Sequence, residues 1–170
     1  MTTTTSRDQA RRRITAPKLV NPFVGALLRS PLHRVFSRRL LLLEVCGRRI
    51  GRVHAFPVGY LQEADTLYVL VAEYRTKTWW RNFQRGASAT LRLRGRTVHG
   101  TGKVLRWESD ADTLTAALDR YVAALPFVRR PLGVTGGPRA PDPEALRKAA
   151  LEVVMVRISL VDETAKDATS

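Results

Sequence analysis

Apolar positions in this chain come in short blocks separated by turn residues, a spacing of strands more than of long helices. Leu40–Cys46 is an apolar run interrupted by Glu44 and closed by Gly47; a run so short and so apolar predicts a buried strand. Arg52–Tyr60 predicts a second strand, with Pro57 marking an edge or bulge because proline cannot donate to a ladder. Leu67–Ala72 predicts a third. Ala89–Arg94 and Thr97–Arg106 flank Gly95-Arg96, a two-residue connection with glycine first, which is the pattern of a type II′ hairpin. Val153–Val161 alternates well enough to serve as a closing strand.

Helical signals lie between and before these blocks. Asn21-Pro22 and Ser30-Pro31 each set a capping residue before a proline suited to a first helical turn, predicting two short helices that end near Arg29 and Arg39. Thr78 can cap a short helix over Trp79–Arg85 that stops at Gly86. Ser109 and Asp112 approximate a capping box ahead of Leu114, Ala117, Leu118, Tyr121, Val122 and Leu125, which share one helix face. Asp142-Pro143 begins another short helix. Pro126–Pro143 has five prolines and three glycines in eighteen residues and reads as a long loop, a place where lids and binding elements occur.

Six strands in the order β-β-β-α-β-β-α-β, joined by hairpins, predict an α+β fold built on a six-stranded antiparallel barrel with flanking helices. Residues 19–161 form the single domain in this reading, with a basic N-terminal tail over 1–18 and a polar C-terminal tail over 162–170. At 170 residues with 44% hydrophobic side chains, the chain can close a barrel-sized core.

Composition sharpens the choice of partner. The 29 basic residues against 15 acidic ones give a formal charge of +14, which attracts polyanions: nucleic acid, an anionic membrane or a phosphorylated cofactor. The single cysteine, Cys46, cannot form an intramolecular disulfide, and no apolar run reaches a bilayer-spanning length, so the expected location is the cytoplasm. The basic, partly apolar stretch Leu19–Arg39 adds peripheral association with anionic lipid at the inner face as a secondary expectation.

Two constellations carry candidate chemistry. In Gly47-Arg48-Arg49-Ile50-Gly51-Arg52, glycines let a turn approach a ligand while three guanidiniums offer forked donors that match phosphate or carboxylate; the alternative is a solvated basic hairpin tip. In Lys77-Thr78-Trp79-Trp80-Arg81-Asn82-Phe83, adjacent tryptophans on one helical turn diverge by about 100°. One therefore packs against the barrel while the other, with Lys77 and Asn82, borders a pocket.

In order and motif these residues resemble the deazaflavin-dependent nitroreductases and quinone reductases of the split β-barrel, flavin-reductase-like fold. The likeness covers about Ser30–Lys103: an apolar strand, the glycine-arginine turn, Phe56-Pro57-Val58, the Trp79–Phe83 segment and the Arg92–Arg96 hairpin. It implies a split barrel that binds coenzyme F-420, a deazaflavin, and passes a hydride from it to a quinone, enone or nitro-type acceptor. Arg48, Arg49 and Arg52 would then meet phosphate or the acidic tail, Pro57 and Val58 would border the ring, and Lys77, Trp80 and Asn82 would shape its site. Members of that family often carry Thr-Thr before the turn where this chain has Val45-Cys46. The stretch Glu73-Tyr74-Arg75-Thr76 also lacks the glycine-rich loop of the best-known nitroreductases.

Hydride transfer from such a ring needs orientation and shielding more than an acid-base pair. Tyr60, Tyr74 and Tyr121 are the candidates to bond an acceptor oxygen, against the plainer reading that they are packing residues. His33, His54 and His99 lack metal-ligand spacing, and no nucleophile elbow surrounds Cys46. Arg92, Arg94, His99 and Lys103 share the polar parity of the hairpin, opposite Leu91, Leu93, Val98 and Val104, which predicts a basic outer face. The alternatives are a barrel of the same fold that binds FMN or haem, and a non-enzymatic binder of anionic lipid or nucleic acid, the last disfavoured because no stacking surface or groove-entering helix is evident. Association as a homodimer is a further expectation.

Overall fold

The structure, a computed structural model, describes residues 39–46, 53–137 and 140–161. The expected tails, the two N-terminal helices, the Leu19–Arg39 stretch apart from Arg39 itself, and the segment with Arg48, Arg49 and Arg52 lie outside the described residues.

Six strands close into an antiparallel barrel: β1 (Leu40–Cys46), β2 (Val53–Glu63), β3 (Thr66–Val71), β4 (Ala87–Leu93), β5 (Arg96–Leu105) and, last in the chain, β8 (Val154–Leu160). Around the barrel the order is β1-β2-β3-β8-β5-β4, so β8 fills the gap between β3 and β5. Closure gives every strand two neighbours and leaves no open edge. This is the expected α+β barrel, with β1 at its predicted bounds and β2 longer than expected, running on to Glu63.

Alternation decides what the barrel encloses. Leu41, Leu43 and Val45 of β1, Leu67, Val69 and Val71 of β3, Leu91 and Leu93 of β4, and Val156 and Ile158 of β8 fill the interior. A second core lies outside the wall, where Leu61, Tyr68, Leu105 and Met155 meet two helices, α1 (Trp107–Ala124) and α2 (Pro143–Leu151). The predicted face of α1 is the one that packs: Leu114, Ala117, Leu118, Tyr121, Val122 and Leu125 are all buried. In α2, Asp142 caps the first turn by accepting the Glu144 amide at 2.9 Å.

Three local expectations are corrected. The β4–β5 hairpin pairs Leu93 with Arg96, so its two-residue turn is Arg94-Gly95, shifted by one residue from the sequence reading. Both carry positive φ (49° and 82°), which makes the turn type I′. The Trp79–Arg85 helix is a 3-10 helix confined to Trp79–Phe83, and the Thr78 side chain does not cap it; Gly86 does follow with φ 75°. Helix α1 begins earlier than the capping box implies, at Trp107, with a break at Asp110 where φ is −140°; Ser109 bonds the Asp110 carboxylate at 2.6 Å rather than a helix amide.

The proline-rich stretch is more ordered than a bare loop. It contains a 3-10 turn (Pro126–Val128) and a two-residue ladder, β6 (Gly136–Gly137) with β7 (Ala140–Pro141). The Arg129 guanidinium donates to the carbonyls of Thr135, Gly136 and Gly137 at 3.0, 2.8 and 2.8 Å, tying both halves together.

Candidate functional site

The segment after β3 is set by its own backbone. The amides of Thr76 and Lys77 both donate to the Glu73 carbonyl, and the Thr76 hydroxyl joins them at 2.9 Å. The Trp80 indole donates to the Tyr74 carbonyl at 2.9 Å, and the two rings meet edge to face at 6.1 Å. The chain thus enters the 3-10 helix with its direction fixed.

Side chains three apart eclipse in a 3-10 helix, so Trp80 and Phe83 fall on one face and plug the barrel, 3% and 0% exposed. Trp79 is turned elsewhere and is only half-buried. Its indole lies 5.0 Å from the Phe56 ring of β2 at 53°, and edge-on to Phe83 at 6.4 Å. Asn82 donates to the Trp79 carbonyl at 2.9 Å. The half-buried Lys77 ammonium stands 3.8 Å from the exposed Glu73 carboxylate, a loose pair that leaves donors for another anion.

These contacts sort the predicted site residues. Lys77, Asn82 and Tyr74 share one segment with the half-exposed Trp79. Trp80, expected to border a cofactor, is a core residue instead, because 3-10 spacing pairs it with Phe83. Pro57 and Val58 part company, as neighbours on a strand must: Pro57 is exposed on the outer wall opposite Leu42, whereas Val58 packs against the interior. Tyr60 is interior at 2% exposure and Tyr121 is sealed beneath α1 at 3%, so neither offers its hydroxyl to an acceptor on the surface; Tyr74 alone of the three is half-exposed. The contact between the Phe56 and Trp79 rings was not foreseen from the sequence. Phe56 shares inward parity with Val58 and Tyr60 and packs against the barrel core, a signal legible only once the strand's register is known.

Burial pushes the Tyr121 phenol well above its usual range, with the Leu70 backbone and the Arg39 charge pulling back more weakly. The proton is therefore held more tightly in the folded chain than in the unfolded one. The stability this confers is complete below the ordinary tyrosine value of about 10 and is lost as pH rises through the folded value. Urea titrations at pH 8 and above pH 10 should show wild type losing more stability than Tyr121→Phe; equal losses would contradict this account.

The outer face of the β4–β5 hairpin is basic, as its parity predicted. Arg92, Arg94, His99 and Lys103 are exposed, and Leu91, Leu93 and Val104 opposite them are buried. His99 Nδ1 lies 3.3 Å from the Thr90 hydroxyl. Among the described residues no group of three or more His, Cys, Asp or Glu is placed to hold a metal ion, and no helix is long and apolar enough to cross a membrane. Two surface grooves, one beside α2 and one between the Gln84–Gly86 turn and strands β5 and β8, contain none of the predicted site residues.

Comparison with known proteins bears on the fold. No family model matches the chain, and no curated protein does so. Among solved structures it is similar to the protein Atu2129 of Agrobacterium tumefaciens str. C58, described as of unknown function, with 16% identity and a TM-score of 0.50 over 84% of this chain and 58% of that one. The chain therefore spans somewhat more than half the length of that protein. Weaker likenesses are to the general stress FMN/FAD binding protein of Xanthomonas citri (16% identity, TM-score 0.45, 74% and 78% coverage) and to the haem storage protein HutZ of Vibrio cholerae (11% identity, TM-score 0.48, 78% and 90% coverage). The class so defined is an α+β protein on a closed six-stranded antiparallel split barrel.

Proposed function

We propose that the chain binds a phosphorylated flavin-type ring at the barrel end formed by Phe56, Trp79, Lys77 and Tyr74, and serves as an oxidoreductase. One observation carries the reading: the half-exposed Trp79 indole, backed by Phe56 at 5.0 Å, stands beside a half-buried ammonium whose carboxylate partner is 3.8 Å away and solvated. An aromatic ledge next to an under-neutralised cation suits a flat ring with an acidic appendage. Arg48, Arg49 and Arg52, which follow β1 in the sequence, would meet the phosphate or acidic tail. Proteins described as FMN/FAD or haem binding have this type of barrel, so the flavin reading stands first; coenzyme F-420 and a quinone, enone or nitro-type acceptor are the finer reading, resting on the sequence resemblance.

The bound ring would supply the hydride chemistry. The chain's part is to orient and shield: Trp79 and Phe56 cover one face, Lys77 balances charge, and the buried Trp80 holds the Tyr74 loop in place. Titration of FMN, F-420 and haem, followed by tryptophan quenching and cofactor absorbance, tests the assignment. Trp79→Ala and Lys77→Gln should each weaken the preferred cofactor by about tenfold or more, the size of one lost charged or stacking contact. Wild-type affinity in both variants, or no saturable binding of any of the three, would overturn it.

A further inference from the structure

The groove between the Gln84–Gly86 turn and the outer wall of β5 and β8 has a volume of about 510 Å³ and is lined by Arg85, Thr101, Lys103, Arg157 and Ser159, among others. Register places these side chains deliberately close. Lys103 of β5 lies directly opposite Arg157 of β8, and Thr101 directly opposite Ser159. Thr66 of β3 flanks Ser159 on the other side, so three hydroxyl-bearing residues run beside the cationic pair.

Like charges directly opposed across an antiparallel pair are destabilising unless something neutralises them. Lys103 has one loose partner, Asp110, at 3.8 Å. Among the described residues no carboxylate pairs with Arg157 or with Arg85, although Arg157 is half-buried. The groove thus gathers three cations with a single distant carboxylate beside them, and Thr101 and Ser159 add two hydroxyls to its lining. A tetrahedral dianion answers all of these features: a guanidinium fork and an ammonium for its charge, and hydroxyls for the remaining oxygens.

We propose that this groove is a phosphate-binding site, separate from the Trp79 ledge, that takes the phosphoryl group of a small phosphorylated molecule or free inorganic phosphate. Binding there relieves the repulsion between Lys103 and Arg157, so occupancy stabilises the barrel across its β5–β8 seam.

The test compares wild type and Arg157→Gln in thermal melts and calorimetric titrations with inorganic phosphate, pyrophosphate and AMP, against chloride at matched ionic strength. In phosphate-free buffer the variant should melt at or above the wild-type temperature, since it loses only repulsion. With phosphate the order should invert, and the variant should bind at least about tenfold more weakly, as expected for a lost charged hydrogen-bonding partner. Preference for AMP would assign a phosphate ester, and equal or stronger binding of inorganic phosphate the free ion. Stabilisation by chloride equal to that by phosphate, or equal affinity in the two proteins, would overturn the site. Flavin titrations are unaffected by Arg157→Gln if the two sites are distinct, so failure of either assignment is read separately.

Discussion

Phe83→Ala is expected to destabilise the protein by about 3–5 kcal/mol, the range for deleting a fully enclosed aromatic side chain. The Phe83 ring is 0% exposed and plugs the barrel from the 3-10 helix. Its ring takes the space a β-carbon at Gly102 would need, so the hole left by truncation faces backbone on one side and cannot collapse freely. Against a total stability of order 5–15 kcal/mol, that loss leaves a marginal protein. Because Trp79 meets Phe83 edge-on, the ledge proposed for the cofactor should loosen with it. Urea denaturation reads the effect, and a midpoint shift worth less than about 1 kcal/mol would show that the plug is not rigid.

The second large effect is expected from Gly100→Ala. A β-carbon there would lie 2.6 Å from the Ser159 carbonyl oxygen and 2.9 Å from the Ile158 Cγ2. The first of these is backbone in the neighbouring strand, so the β5–β8 seam must part for the methyl to fit, and overpacking of this kind costs about 1–3 kcal/mol or more. Gly95→Ala is the informative contrast. Its φ of 82° imposes a left-handed cost, yet nothing lies within 4 Å of the added methyl, so roughly 1–2 kcal/mol is expected. Melting temperatures should fall further for Gly100→Ala than for Gly95→Ala; the reverse order would refute the seam argument.

The candidate site was partly legible before the fold. The sequence pointed to the Lys77–Phe83 segment and to the divergence of its two tryptophans, because adjacent residues on any helix face apart. It named Trp80 as the member bordering a cofactor, whereas Trp80 is the one buried in the barrel core and Trp79 the half-exposed one. Trp80 and Phe83, three residues apart, share one face of the 3-10 helix, and which face meets the barrel is set by the packing around it. The hairpin shows the same dependence: a turn of type I′ or II′ can be drawn around Arg94-Gly95-Arg96, and the pairing of Leu93 with Arg96 selects the first.

Period-two alternation in β4 and β5 and the spaced apolar face of α1 were readable in the residues alone, because local periodicity sorts side chains between water and core wherever a strand or helix has two unlike faces. Long-range register was not encoded in any such local signal. That β8 enters between β3 and β5, setting Arg157 against Lys103 and Ser159 against Thr101, follows from closing a barrel around one shared interior, a condition that binds strands far apart in the chain. The burial of Tyr60 and Tyr121 has the same origin: which wall a helix covers depends on how the whole sheet curves back on itself.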